Sequence, residues 1–111
     1  MSTKVHTVTT QQELDSFKEY KQPIIIKFSA QWCGPCKMMI PYFTELSEKY
    51  QNITFIEIDI DKSQIISESY KVSSLPTFIV CNDRLQESCR LQGANKSKLL
   101  EMIKNIDDEL F

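Results

Sequence analysis

Glycine is nearly missing from this chain, with two residues in 111 where an average usage of about 7% would give about eight. Histidine and tryptophan are scarcer still, at one residue each. No basic cluster stands out, and 13 Lys and Arg against 15 Asp and Glu leave a net charge of −2 and a pI near 5.4. That balance argues against an electrostatic grip on nucleic acid or on an anionic membrane surface. No apolar run approaches the roughly 20 residues needed to span a bilayer. The opening Met1-Ser2-Thr3-Lys4-Val5-His6 lacks the apolar core of a secretion signal and the Arg-rich character of a transit peptide. A cytoplasmic protein is therefore expected.

With 41% hydrophobic and 25% charged residues, residues 1–111 are expected to fold as a single globular domain. Four cysteines remain to be explained. In a reducing compartment they are thiols, redox centres or metal ligands rather than structural disulfides. Two of them lie in Cys33-Gly34-Pro35-Cys36, so half of the glycine sits beside half of the cysteine.

Periodicity sets the elements. Thr10-Gln11-Gln12-Glu13 has capping-box spacing, with Leu14, Phe17 and Tyr20 behind it, which predicts a first helix of about three turns stopped by Pro23. Ile24 to Ser29 reads as a strand covered on both faces, apart from Lys27. Met39, Phe43, Leu46 and Tyr50 form one helical stripe, which Pro41 should kink. Ile53 to Ile60 alternates as a second strand, and Ser63 to Tyr70 fits a short helix. Thr77 to Cys81 and Gln86 to Leu91 flank Asn82-Asp83-Arg84, which is hairpin chemistry. Leu99, Ile103, Ile106 and Leu110 predict a closing helix, whose acidic end, Asp107-Asp108-Glu109, opposes the macrodipole and should fray. Alternating helices and strands followed by a hairpin imply a mixed α/β sandwich.

The dithiol sits where a buried strand gives way to a helix. A helix N-terminus favours the thiolate, the reactive form, and a thiol three residues on can displace a covalent partner. Cys33, toward solvent, is then the nucleophile and Cys36 the resolving thiol. Gly34 should let the backbone pass tightly, and Pro35 presets the first turn. A zinc site would need a second ligand pair, and Cys81, Cys89 and His6 lack the spacing. Cys81 and Cys89 themselves read as small thiols without a bridge, since hairpin counting puts Cys89 opposite Pro76 to Phe78. Glu57, Asp59 and Asp61 read as a solvated strand end rather than a metal site.

The segment Phe28 to Met38, with Trp32-Cys33-Gly34-Pro35-Cys36 at its centre, resembles the active-site segment of thioredoxins, particularly the cytosolic eukaryotic kind. Leu75-Pro76-Thr77-Phe78 resembles the loop whose proline is cis in that family. Gly93-Ala94-Asn95-Lys96 is similar to the stretch before its last helix, and Leu46 to Tyr50 to its second helix. The resemblance implies the thioredoxin fold, a mixed central sheet of about five strands flanked by about four helices. It also implies a protein-disulfide reductase that works through a mixed disulfide. Trp32, Gly34, Pro35, Leu75 and Pro76 would line a substrate groove, with Gly93 and Ala94 on its far rim. Plain core is the competing reading of Trp32, but a large aromatic beside a reactive thiol is better used as substrate surface.

No cofactor or metal is expected. The chain carries no nucleotide- or flavin-binding motif, so its electrons must come from another protein, and the resemblance suggests a NADPH-linked thioredoxin reductase. Other expected partners are disulfide-containing proteins, met by a monomer. Two alternatives stay open: a docking subunit that uses the fold and not the dithiol, and an isomerase-like activity. The second fits poorly, because such domains usually carry histidine where Pro35 stands.

One departure from the family matters. Thioredoxins typically bury an acid where this chain has Lys27, and that acid is thought to relay the resolving cysteine's proton. A buried lysine needs a partner, and Glu57 on the adjacent expected strand is the candidate, the pair tuning the thiol pKa values. The competing reading makes Lys27 a solvated edge lysine.

Overall fold

The computed structural model describes residues 4–110. Its frame is one five-stranded sheet in the order β1-β3-β2-β4-β5. The strands are β1 (Val5–Thr7), β2 (Ile24–Ser29), β3 (Thr54–Asp59), β4 (Thr77–Cys81) and β5 (Glu87–Gln92). β1 and β2 run parallel to β3, while β4 is antiparallel to both β2 and β5. The five-stranded thioredoxin fold expected from the sequence is thus the fold observed.

β2 is the central strand, and all six of its residues are buried. That placement removes the reading of Lys27 as an edge lysine. The two faces of the sheet carry separate cores, as strict side-chain alternation requires. Ile25, Phe55, Phe78 and Val80 pack on one face under Phe43, Leu46, Leu99 and Ile103. Ile24, Ile26, Phe28, Ile56, Ile58 and Ile79 pack on the other, under Leu14 and Ile66.

The helices are α1 (Gln11–Ser16), α2 (Gly34–Met38), α3 (Ile40–Lys49), α4 (Gln64–Ser69) and α5 (Lys96–Glu109). Thr10 and Glu13 close the predicted capping box, but α1 ends early and continues as a 3₁₀ turn, Phe17–Tyr20. Lys21 then takes a left-handed conformation, so the helix is already over before Pro23. Pro41 breaks the long helical stripe into α2 and α3 at Met39, and all four stripe residues are buried on the same side. Counted as one kinked helix, α2 and α3 bring the helices to the expected four.

Four local expectations need correction. The strand β1 was not foreseen: it has three residues, and none is fully buried, so it leaves little periodicity to read. The hairpin turn is longer than three residues. Asn82 Oδ1 accepts from the amides of Arg84 and Gln86, Asn82 N–H donates to Gln86 O, and a register shift follows at Val80/Cys81. Cys89 therefore faces Val80, not Pro76 to Phe78. Leu110 lies just past α5 and is exposed, so the stripe ends at Ile106. The acidic end of α5 stays helical through Glu109.

Candidate functional site

The site is built where β2 ends and α2 begins. The turn is set by Cys33 N–H donating to Ala30 O at 3.1 Å. Cys33 is the N-cap of α2, and its Sγ accepts from the amide of Cys36 at 3.2 Å. Pro35 lies in the first turn, where a missing N–H costs nothing. Cys33 and Cys36 are joined as a disulfide, with Cα atoms 5.3 Å apart. Both are buried, at 5% and 2% exposure.

What separates the two cysteines is the space each one faces. Cys33 lines a groove of about 390 Å³ with Trp32, Gly34, Pro35 and Leu75. Ile60, Val72, Ser73 and Ser74 complete its walls. Cys36 lines a different cavity, of about 230 Å³, together with Ser29, Lys37, Glu57 and Asp59. One thiol position therefore opens toward the groove beside Trp32 and the other toward a separate cavity at the ends of β1, β2 and β3, which exposed Thr9, Gln31, Lys37 and Lys62 also line.

Trp32 is not core: it is 69% exposed. Its indole Nε1 donates to Asp61 Oδ2 at 2.9 Å, and Asp61 N–H donates to Asp59 Oδ1 at 2.8 Å. Of the three carboxylates expected to form a solvated strand end, Asp61 thus bonds the ring directly and Asp59 braces the backbone of Asp61. Among the described residues no cluster has the makings of a metal site. Leu75–Pro76 is a cis peptide bond, as the resemblance implied. Pro76 is buried, and its carbonyl accepts from Gly93 N–H at 2.8 Å. Neither Pro76, Gly93 nor the exposed Ala94 lines the groove wall beside Cys33.

The two glycines differ in kind. Gly93 has φ +100°, a conformation in which a side chain is strained. At Gly34 a Cβ would meet nothing within 4 Å, so the expected tight passage of the backbone is not what requires glycine there. Ile60, Val72, Ser73 and Ser74 were missed by sequence reasoning. They lie at loop and strand ends that only the tertiary fold brings together, and Ile60 alone carried a signal, as the last apolar residue of a predicted strand.

Beneath Cys36 lies the most unusual group in the molecule. Lys27 has no solvent exposure. Its Nζ donates to Cys36 O at 2.9 Å and pairs with Glu57 Oε1 at 3.2 Å. The phenyl ring of Phe43 lies 5.9 Å from the ammonium, measured to its centroid. Parallel pairing of β2 and β3 sets Lys27 directly beside Glu57. Cys36 O accepts from Met39 N–H at 3.1 Å at the α2–α3 break and keeps its second lone pair for the ammonium. Burial pushes the Lys27 ammonium below its usual pKa, partly offset by the charge of Glu57 and the hydrogen bond to it. Ser29 Oγ donates to the same carboxylate oxygen at 3.0 Å.

A vicinal dithiol at a strand-to-helix turn, an exposed tryptophan and a cis-proline loop point one way, and comparison with known proteins agrees. The thioredoxin family model matches residues 4–105. The chain belongs to the thioredoxin family. It is 39% identical over 110 residues to thioredoxin H-type from Populus jackii, covering 96% of this chain and 78% of that one. Thioredoxin 1 from Plasmodium falciparum is 37% identical over 100 residues, covering 90% and 95%. The crystal structure of a poplar thioredoxin h superposes with a TM-score of 0.87 at 37% identity, covering 93% and 96%. Family membership and the paired cysteines make the protein a dithiol thiol–disulfide oxidoreductase, a protein-disulfide reductase.

Proposed function

We propose that the protein reduces disulfides in client proteins as a monomeric single domain, with Cys33 as nucleophile and Cys36 as resolving thiol. The observation that carries this is the division of the two cysteines between two spaces. Only Cys33 lines the groove walled by Trp32 and Leu75. An extended client segment laid there brings its disulfide to Cys33. The Cys33 thiolate attacks one client sulfur, the client S–S bond breaks, and the second client sulfur leaves as a thiolate. The amide of Cys36, which donates to Cys33 Sγ, is placed to hold the negative charge on that sulfur. Cys36 then attacks Cys33, the mixed disulfide breaks, and the client leaves with two more electrons than it brought. The Cys33–Cys36 disulfide is the product.

Trp32, Gly34, Pro35 and Leu75 present the client, and Pro76 backs that wall and ties it to Gly93 through its carbonyl. Gly93 and Ala94 form the outer rim beyond it, and Lys27 with Glu57 sets the charge around the dithiol. A NADPH-linked thioredoxin reductase returns the electrons. The compartment is the cytoplasm, where thiols are kept reduced and the attacking form of the dithiol persists. Cys36→Ser should accumulate a covalent adduct with client proteins, and Cys33→Ser should not. If neither variant traps a partner and both keep full partner function, docking without redox chemistry replaces this reading. Coupled NADPH oxidation with a purified thioredoxin reductase tests the electron source, and sedimentation of the reduced protein tests the monomer. Subcellular fractionation tests the compartment.

A further inference from the structure

In the resolving step the Cys36 thiol must lose a proton, yet Cys36 is 2% exposed. The space it lines is the separate cavity rather than the client groove. The charged side chains on that cavity are Lys37, Glu57, Asp59 and Lys62, and an ammonium cannot accept a proton. Of the two carboxylates, Asp59 is tied outward, accepting from Asp61 N–H at 2.8 Å on the loop that follows β3. Glu57 is tied inward, to Ser29 Oγ at 3.0 Å and to Lys27 Nζ at 3.2 Å. Lys27 in turn holds the carbonyl of Cys36 at 2.9 Å. Yet the Glu57 side chain keeps 27% exposure, so it touches both the buried network and solvent.

We propose that Glu57 receives the proton of Cys36 through this cavity and passes it to solvent, with Lys27 acting as the positioning residue that fixes the carboxylate relative to Cys36. This rests on the reading of Cys36 as the resolving thiol. The cavity has room for bridging water. As the Cys36 S–H bond breaks, its proton goes to the Glu57 carboxylate. The freed sulfur pair forms the bond to Cys33 Sγ, and the Cys33–client bond breaks. The client sulfur departs as a thiolate, and Glu57 gives its proton to solvent at the cavity mouth. The ion pair is oriented for this, cation under Cys36 and carboxylate toward water. A buried Lys27 is thereby explained as more than a cost of burial.

The two steps separate in a rapid-quench experiment with a synthetic peptide carrying one intramolecular disulfide. Mass spectrometry follows formation and decay of the adduct on Cys33. Glu57→Gln should resolve the adduct about a hundredfold more slowly near neutral pH, within the usual range for acid–base assistance, a far larger change than the one it makes in adduct formation. Because Glu57→Gln leaves Lys27 without its counter-ion, the double variant Lys27→Met/Glu57→Gln is measured beside it and should show the same slow resolution. Lys27→Met alone keeps the carboxylate. Its resolution should slow less than in Glu57→Gln, and adduct formation should change less than resolution, as expected of a residue that positions the carboxylate without taking the proton. Wild-type resolution with an unshifted pH profile in both Glu57 variants overturns the proposal. So does slow resolution in Asp59→Asn, or a loss in Lys27→Met as deep as in Glu57→Gln, which would move the role to the ammonium. Failure of Cys36→Ser to accumulate the adduct would instead overturn the reading of the dithiol itself.

Discussion

The molecule holds two pairs of cysteines, and their surroundings differ in nearly every respect that governs thiol chemistry. Cys33 and Cys36 sit at a helix start, between a groove and a cavity, with a backbone amide on one sulfur and an ammonium beneath the other residue. Cys81 ends β4 in the opposite core, with Ile79 and Leu14 in the same cluster. Its Sγ is 4.0 Å from Tyr70 Oη. Burial pushes the Cys81 thiol up to about 11. Cys89, on the exposed β5, is also raised, by partial burial and then by the carboxylates of Glu87 and Glu109. Because Cys89 is opposite Val80, it shares the face of Val80, and Cys81 points to the other face. The hairpin thus keeps its two thiols apart while the turn at Cys33 forces its own two together. Reactivity follows from the secondary-structure junction and its charges, not from the number of thiols.

The largest expected consequence of that contrast lies in activity. Cys33→Ser should lower the rate of insulin disulfide reduction by more than about a thousandfold, on the scale of losing a covalent nucleophile. The equivalent change in the other pair, Cys89→Ser, should leave that rate as it is. A comparable loss in both variants would show that the hairpin thiols take part in exchange.

Next in size is accessibility. In the reduced protein at pH 8, iodoacetamide should modify Cys33 and, more slowly, Cys89, while Cys81 stays protected until the chain unfolds. Peptide mapping of the alkylated protein reads this directly. Early labelling of Cys81 would mean that the core around Tyr70 opens far more readily than its packing indicates.

Much of the contrast was legible in the sequence, and the illegible part has physical causes. The stripe Met39, Phe43, Leu46 and Tyr50 and the apolar run of β2 could be read because burial imposes a period on sequence. The junction between them, with its Cys-Gly-Pro-Cys, located the dithiol. The partnership of Lys27 and Glu57 was foreseen, since both fall on adjacent strands. The bond from Lys27 to Cys36 O was not, because it depends on a carbonyl left available at the α2–α3 break. Asp61 looked like surface charge, and its hold on Trp32 exists only once two loops meet. The hairpin register failed on a side chain's hydrogen bonds: Asn82 lengthens the turn and moves Cys89 along β4.

The smallest expected effects concern stability, and they carry a sign. Cys81 has a folded pKa above that of a free thiol, with about 11 against 9.0. Its contribution is therefore fully present below about pH 9 and is lost as pH rises through about 11. Over that window the loss is on the order of 2 kcal/mol. Burial lowers the Lys27 pKa, which works in the opposite sense, so stability against pH in the wild type alone would mix the two. The difference between wild type and Cys81→Ala isolates the thiol. Urea unfolding should show the variant weaker by about 1 kcal/mol at pH 7 from lost apolar burial, and the gap should narrow or reverse by pH 11. Cys89→Ser should stay within about 0.5 kcal/mol of wild type at neutral pH. A gap for Cys81→Ala that stays constant from pH 7 to pH 11 would mean that its thiol titrates as freely as an exposed one. The two hairpin cysteines would then differ only in packing, and the contrast with the dithiol would rest on geometry alone.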